Sequence, residues 1–159
     1  MTKSIIDTPP GNALRFGLRL PIWLYRLHLS WMLGDRFLML VHTGRKSGLP
    51  RQTVIEVVQH DKATNTYYVV SGWGEKSDWY QNIRKLPQVT VHVGRCKFHA
   101  TAEFIPLEKA IEIMNTYARE HPVAFSGLSA LFLGERMRPN SDAPQSIATK
   151  MPMVAFHPQ

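Results

Sequence analysis

The chain has a single cysteine, Cys96, and no apolar run long enough to cross a bilayer. One cysteine excludes an intrachain disulfide and fits a reducing compartment, so the cytoplasm is the expected location and Cys96 reads as a small filler. The opening residues MTKSIIDTPPG lack the continuous apolar core of a secretion signal. The most apolar later stretch, LPIWLYRLHLSWML, is about fourteen residues long and contains Arg26 and His28, short of the roughly 20 apolar residues a spanning helix needs. Metal-ligand spacing is lacking too. Histidines 28, 42, 60, 92, 99, 121 and 157 are scattered, and His92 with His99, expected to face each other across a hairpin, lack an acidic third ligand. No metal is expected. A GxSxG elbow is missing and Cys96 has no base near it in sequence, which leaves nucleophilic catalysis without support.

What is present is positive charge, unevenly spread. The 159 residues carry a formal net charge of +7. Residues 1–60 hold eight Lys or Arg against Asp7, Asp35 and Glu56, so most of the excess lies in this part. An anionic partner is expected there, and nucleic acid, anionic lipid or a phosphorylated cofactor all qualify on charge alone. A chain of this length makes one domain, residues 1–159, able to bury about two thirds of its unfolded surface.

Hydrophobic periodicity divides that domain. Residues 1–34 form an N-terminal segment, helical over 12–34 with Asn12 as cap, Pro21 as a kink or second start, and Gly34 as stop. The runs RFLMLVHT (36–43), RQTVIEVVQH (51–60), YYVVSG (67–72), QVTVHVG (88–94) and KFHATAEFI (97–105) read as strands, with a short helix DWYQNIRKL after Ser77. Pro106 opens a helix whose apolar stripe is Leu107, Ala110, Ile111, Met114, Tyr117 and Ala118, and Pro122 ends it. FSGLSALFLG (125–134) reads as a further short helix, residues 135–150 as a long mobile loop, and MPMVAFHP (151–158) as the final strand. Five or six mostly antiparallel strands with a few helices give a small barrel-like α+β fold.

Two stretches can carry chemistry. HTGRKSGLPRQ (42–52) is a hairpin that sets Arg45, Lys46 and Ser47 between glycines and returns Arg51 on the next strand. Two guanidinium forks, an ammonium and loop amides can grip a phosphate or several carboxylates. The spacing is not GxxxxGK[ST], and a strand rather than a helix follows, which disfavours ATP and NAD sites. An ordinary charged hairpin tip is the competing reading. The second stretch, VVSGWGEKSDWYQNI (69–83), runs from a strand end at Ser71 through Gly72, Trp73 and Gly74 to Lys76 and a helix start. Such a mouth lets backbone amides approach an anion, and Trp73 and Trp79 can border a planar ring or pack in the core.

Taken together, LVHTGRKSGLPRQTVIEVV and YYVVSGWGEKSDWYQNIRKLPQVTVHVGRCKFHATAEFIP resemble the deazaflavin-dependent nitroreductase and quinone reductase family, whose members adopt the split β-barrel of flavin-binding oxidases. The resemblance covers about residues 36–106, with a compatible final strand. It implies a split β-barrel of about six strands, coenzyme F420 as cofactor, and hydride transfer from the reduced coenzyme to an electron-poor acceptor such as a quinone, enone or nitro compound. The coenzyme's phosphodiester and oligoglutamate tail would account for the basic hairpin.

Carried over position by position, the resemblance assigns Arg45, Lys46, Ser47 and Arg51 to the phosphate and tail. It assigns Ser71, Gly72, Trp73, Gly74, Lys76, Trp79 and Asn82 to the cofactor's surroundings, with Ser71 also able to orient a proton or the substrate. Gly72 stands where family members often have a lysine. Phe125, Leu128, Leu131 and Phe132 replace the tyrosines of the best-known nitroreductases and imply a small apolar substrate. FMN in place of F420, and a non-catalytic carrier of a cofactor or lipid, are the alternatives. Nucleic acid is not expected as a partner, because aromatic and basic residues do not interleave along the strands. Split barrels of this kind imply a homodimer. The arginine-bearing segment 12–34 either covers the barrel or touches the inner face of the membrane peripherally.

Overall fold

The computed structural model describes residues 34–133, the last three as backbone only, and 142–159. The expectations for residues 12–33 therefore lie outside the described residues. The described residues form six strands: β1 Phe37–Thr43, β2 Pro50–Asp61, β3 Thr66–Val70, β4 Gln88–Val93, β5 Cys96–Phe104 and β6 Met153–Pro158. Four helices accompany them: α1 Asp78–Lys85, α2 Leu107–Glu120, α3 Pro122–Leu133 and α4 Ala143–Lys150. The strands close into a barrel in the order β1-β2-β3-β6-β5-β4, and every pairing is antiparallel. This is the small barrel-like α+β fold that the strand pattern implies, with the strand number that the family resemblance implies for a split barrel.

Period-two alternation decides which side chains enter the barrel. Leu38 and Leu40 of β1, Val89, Val91 and Val93 of β4, Ala100 and Ala102 of β5, and Val154 and Phe156 of β6 are buried in one cluster. Trp79, Tyr80 and Ile83 of α1 join it, so this short helix closes one end. The opposite faces of β2, β3 and β6 contribute Val58, Val70 and Met153 to a second core with α2, α3 and α4.

Several expectations change. The buried stripe of α2 is Ala110, Ile113, Met114, Tyr117 and Ala118. Ile113 enters it while Leu107 is exposed and Ile111 half-buried, because the helix faces α4 as well as the sheet. Pro122 opens α3 as its first residue, where a missing N–H costs nothing. Residues 143–150, read as part of a mobile loop, form α4. Its buried Ala143, Pro144, Ile147 and Ala148 make a helical stripe, and a proline in the first turn does not break a helix. His92 lies opposite Lys97 and His99 opposite Thr90, so the two histidines do not face each other. The final strand starts at Met153, after Pro152 has accepted the Ser71 N–H on its carbonyl.

Candidate functional site: a basic hairpin docked on a helix

β1 and β2 are joined by Gly44–Leu49, the tip of the basic hairpin. Gly44 N–H donates to the Leu49 carbonyl and Gly48 N–H to the Gly44 carbonyl, both at 2.8 Å. Gly48 sits at φ +70°, the left-handed region that a side chain would strain. At Gly44 a Cβ would stand 2.6 Å from Ser47 Oγ, which itself accepts the Leu49 N–H at 3.2 Å. Ser47 is thus a strut of the turn.

Arg45 points back onto α1. Its Nη1 donates to Asn82 Oδ1 at 2.9 Å, and both Nη1 and Nη2 reach Asp78 Oδ1 at 3.2 Å. Its main-chain N–H donates to the same Asn82 Oδ1 at 3.0 Å, while Lys85 Nζ donates to the Arg45 carbonyl at 3.0 Å. Both sides of the Arg45 residue are therefore tied to one helix. Asn82, buried, completes the arrangement through Nδ2, which lies 3.0 Å from Nδ1 of the buried His42. Burial lowers the His42 pKa from 6.5 to about 4. Asp78 opposes that shift and Arg51 adds to it, so the imidazole is neutral near pH 7.

The rest of the hairpin faces outward. Lys46 and Arg51 are exposed and make no ion pair with any described residue. Leu49, between them, is also exposed. At the root of the hairpin a cleft of about 180 Å³ is lined by Thr43, Pro50, Gln88, Thr90, His99 and Gln159 among others.

The loop from β3 leads into the N-terminal end of α1, where Asp78 pairs with Arg45. Gly72 and Trp73 form a turn, and Gly74–Lys76 a single 3₁₀ turn with Gly74 at φ +66°. Gly72 and Gly74 are half-buried and Lys76 is exposed. Trp73 packs partly buried against the second core. Ser71 is fully buried: its hydroxyl lies 2.6 Å from the Gly74 carbonyl and 2.7 Å from Ser77 Oγ. The carbonyl can only accept, so Ser71 donates to it and Ser77 donates to Ser71. Ser77 precedes α1 without capping it, because its hydroxyl is used in this pair.

These positions bear on several sequence assignments. Ser71 is enclosed, with its proton committed to the Gly74 carbonyl. Trp79 packs in the barrel core with its ring edge-on to Tyr80 at 6.0 Å. Asn82 is spent on Arg45 and His42. Phe125 and Leu128 are buried in the second core, where α3 packs on the helical layer. Leu131 and Phe132 belong to the backbone-only end of α3. Sequence reasoning missed His42, Lys85 and the Asp78–Arg45 pair. A histidine in the inward phase of a buried strand, after Leu38 and Leu40, was the available signal.

The family model for F420H(2)-dependent quinone reductase matches residues 26–126. No curated protein matches the sequence. Among solved structures, an F420-H2 dependent reductase, FDR-A, is 18% identical with a TM-score of 0.53, the match covering 78% of this chain and 96% of that one. A structure described as a domain-swapped dimer is also 18% identical, with a TM-score of 0.52 and 86% and 99% coverage. A pyridoxamine 5'-phosphate oxidase-related FMN binding protein from Nostoc punctiforme is 13% identical, with a TM-score of 0.51 and 88% and 80% coverage. At these identities the structures share the split-barrel fold and no more. The family match spans more than half of the chain, including both stretches that meet at α1, and this protein belongs to the F420H2-dependent quinone reductases, oxidoreductases that use coenzyme F420.

Proposed function

We propose that this protein passes a hydride from reduced F420 to a small apolar, electron-poor acceptor, with quinones as the leading class and enones and nitro compounds as further candidates. One observation carries the assignment of the site: Lys46 and Arg51 stand exposed on a hairpin that Arg45 pins to α1. A loop whose backbone is held at Arg45 and which presents an ammonium and a guanidinium suits a phosphodiester and carboxylates, because the backbone that carries the cations needs no reordering on binding. The residues present fit the anionic end of the coenzyme, with exposed Lys46 and Arg51 to hold its charges and Gly72, Gly74 and Lys76 in the loop that leads into α1. The bound coenzyme supplies the hydride. Arg45, Ser47, Ser71, Trp79 and Asn82 shape the two loops, and Trp73 borders the second.

Titration by coenzyme fluorescence quenching tests this reading. Micromolar binding to the wild type is expected, with about a tenfold loss in the double variant Lys46→Ala/Arg51→Ala, the scale of a lost charge-assisted contact. Binding that ignores both cations would sink the hairpin's role. Tighter binding of FMN than of F420 would move the protein to flavin chemistry. Turnover of reduced F420 against a panel of quinones, enones and nitro compounds then ranks the acceptors. A homodimer belongs to the same reading, supported by the domain-swapped relative, and light scattering at micromolar concentration reads it directly.

A further inference from the structure

We propose that His42 is a positioning residue for the basic hairpin: by accepting a hydrogen bond on Nδ1 it fixes the Asn82 amide in the one orientation that clamps Arg45 to α1. The inference rests on the proposed role of that hairpin for its effect on the coenzyme, and on geometry alone for its effect on the protein.

The argument is a count of donors and acceptors. Arg45 offers two donors, its main-chain N–H and Nη1, to a single Asn82 atom at 3.0 and 2.9 Å. Only the amide oxygen can accept both, so Nδ2 must point the other way. There it meets His42 Nδ1 at 3.0 Å, inside a region where His42 and Asn82 are both almost fully buried. A buried N–H donor needs an acceptor, so Nδ1 carries the lone pair and the ring proton resides on Nε2. A leucine at 42 would continue the apolar pattern of Leu38 and Leu40, at less desolvation cost than a buried imidazole. Such a side chain would leave Nδ2 facing apolar surface. The amide could then keep its oxygen toward Arg45 only at the cost of a buried donor without an acceptor, and the clamp on the Arg45 N–H would loosen. The imidazole thus acts on the exposed Lys46 and Arg51 through Asn82 and Arg45.

Protonation would undo the arrangement, since an imidazolium would set two donors against each other. Asp78 and Arg51 are the charged groups that act on His42, with opposite signs. The ring's low pKa keeps it neutral across the physiological range.

Long-range nitrogen-15 spectra of the apo protein at pH 7, with His42 assigned by its absence in His42→Asn, read the tautomer. The unprotonated nitrogen is expected to be Nδ1, and a proton on Nδ1 overturns the proposal. His42→Asn can place its amide oxygen close to the position of Nδ1 and is expected to bind F420 within about threefold of wild type. His42→Leu is expected to weaken binding about tenfold and to speed exchange of the Arg45 amide by a similar factor, the range for one buried donor left unsatisfied. Unchanged Arg45 exchange in His42→Leu, or a loss in His42→Asn equal to that in His42→Leu, also overturns it. If His42→Leu does not fold, the tautomer and the asparagine variant still decide. A correct tautomer and faster Arg45 exchange, together with coenzyme affinity indifferent to Lys46→Ala/Arg51→Ala, would reject the hairpin's function and leave the positioning role standing.

Discussion

Two hairpins of this barrel begin with the same dipeptide. Gly44-Arg45 starts the turn between β1 and β2, and Gly94-Arg95 makes the turn between β4 and β5. Each is a glycine-assisted turn between antiparallel strands, with Gly48 and Gly94 at positive φ, the first running from Gly44 to Leu49 and the second only from Gly94 to Arg95. Their surroundings differ. Arg45 is half-buried and held by Asp78 and Asn82 of α1, while Arg95 is exposed with no ion pair to a described residue. The comparison teaches that an arginine in a turn becomes part of a built loop only when a neighbouring element brings it an acceptor.

Breaking the first hairpin's anchor has the largest expected effect. Asn82→Ala removes the acceptor of the Arg45 N–H and the partner of His42, and should cost about 3 kcal/mol of stability by denaturant unfolding, from buried polar groups left without partners. Coenzyme affinity should fall with it.

Acid should sharpen the same contrast. The His42 pKa drops from 6.5 to about 4 on folding, so between these values the unfolded chain binds more protons than the native one. Stability is full above pH 6.5 and is lost as pH falls toward 4. By pH 5 about 2 kcal/mol of it should be gone. The difference between wild type and His42→Asn across a pH series of unfolding curves isolates this contribution. A flat difference would mean that the ring is not held neutral by burial.

Smaller still is the ion pair. Asp78 is highly exposed, so Asp78→Asn should cost under about 1 kcal/mol and leave the Asn82 contacts in place, read by the same unfolding curves. At the end of the scale, Arg95→Ala should leave coenzyme binding and stability unchanged within about 0.5 kcal/mol. A measurable loss of coenzyme affinity there would make the second hairpin functional and end the contrast.

Much of the barrel was legible in the chain. The alternation of Val89, Val91 and Val93, and of Phe98, Ala100, Ala102 and Phe104, announces strands with one apolar face, and the β2–β3 and β4–β5 turns carry their own turn chemistry. Helix α4 was not legible, because APQSIATK is weakly apolar and becomes helical by burying Ala143, Pro144, Ile147 and Ala148 against elements distant in sequence. The site was legible by type and not by role. Arg45, Lys46 and Arg51 are equivalent cations on paper, yet only Arg45 lies within reach of α1. Ser71 and Asn82 look like reactive or ligating groups in sequence and are fully used inside the protein.

The sequence by itself determined the period of each strand, the concentration of positive charge in one glycine-bounded turn, and the glycine-rich approach to α1, because these follow from residue order and backbone sterics. Only the tertiary structure decided that residue 82 would meet residues 42 and 45, that one arginine would be spent on the scaffold while Lys46 and Arg51 face outward, and that an imidazole would stay neutral. Each of those depends on a partner some 40 positions away, and closing the barrel under α1 is what brings the partners into hydrogen-bond range.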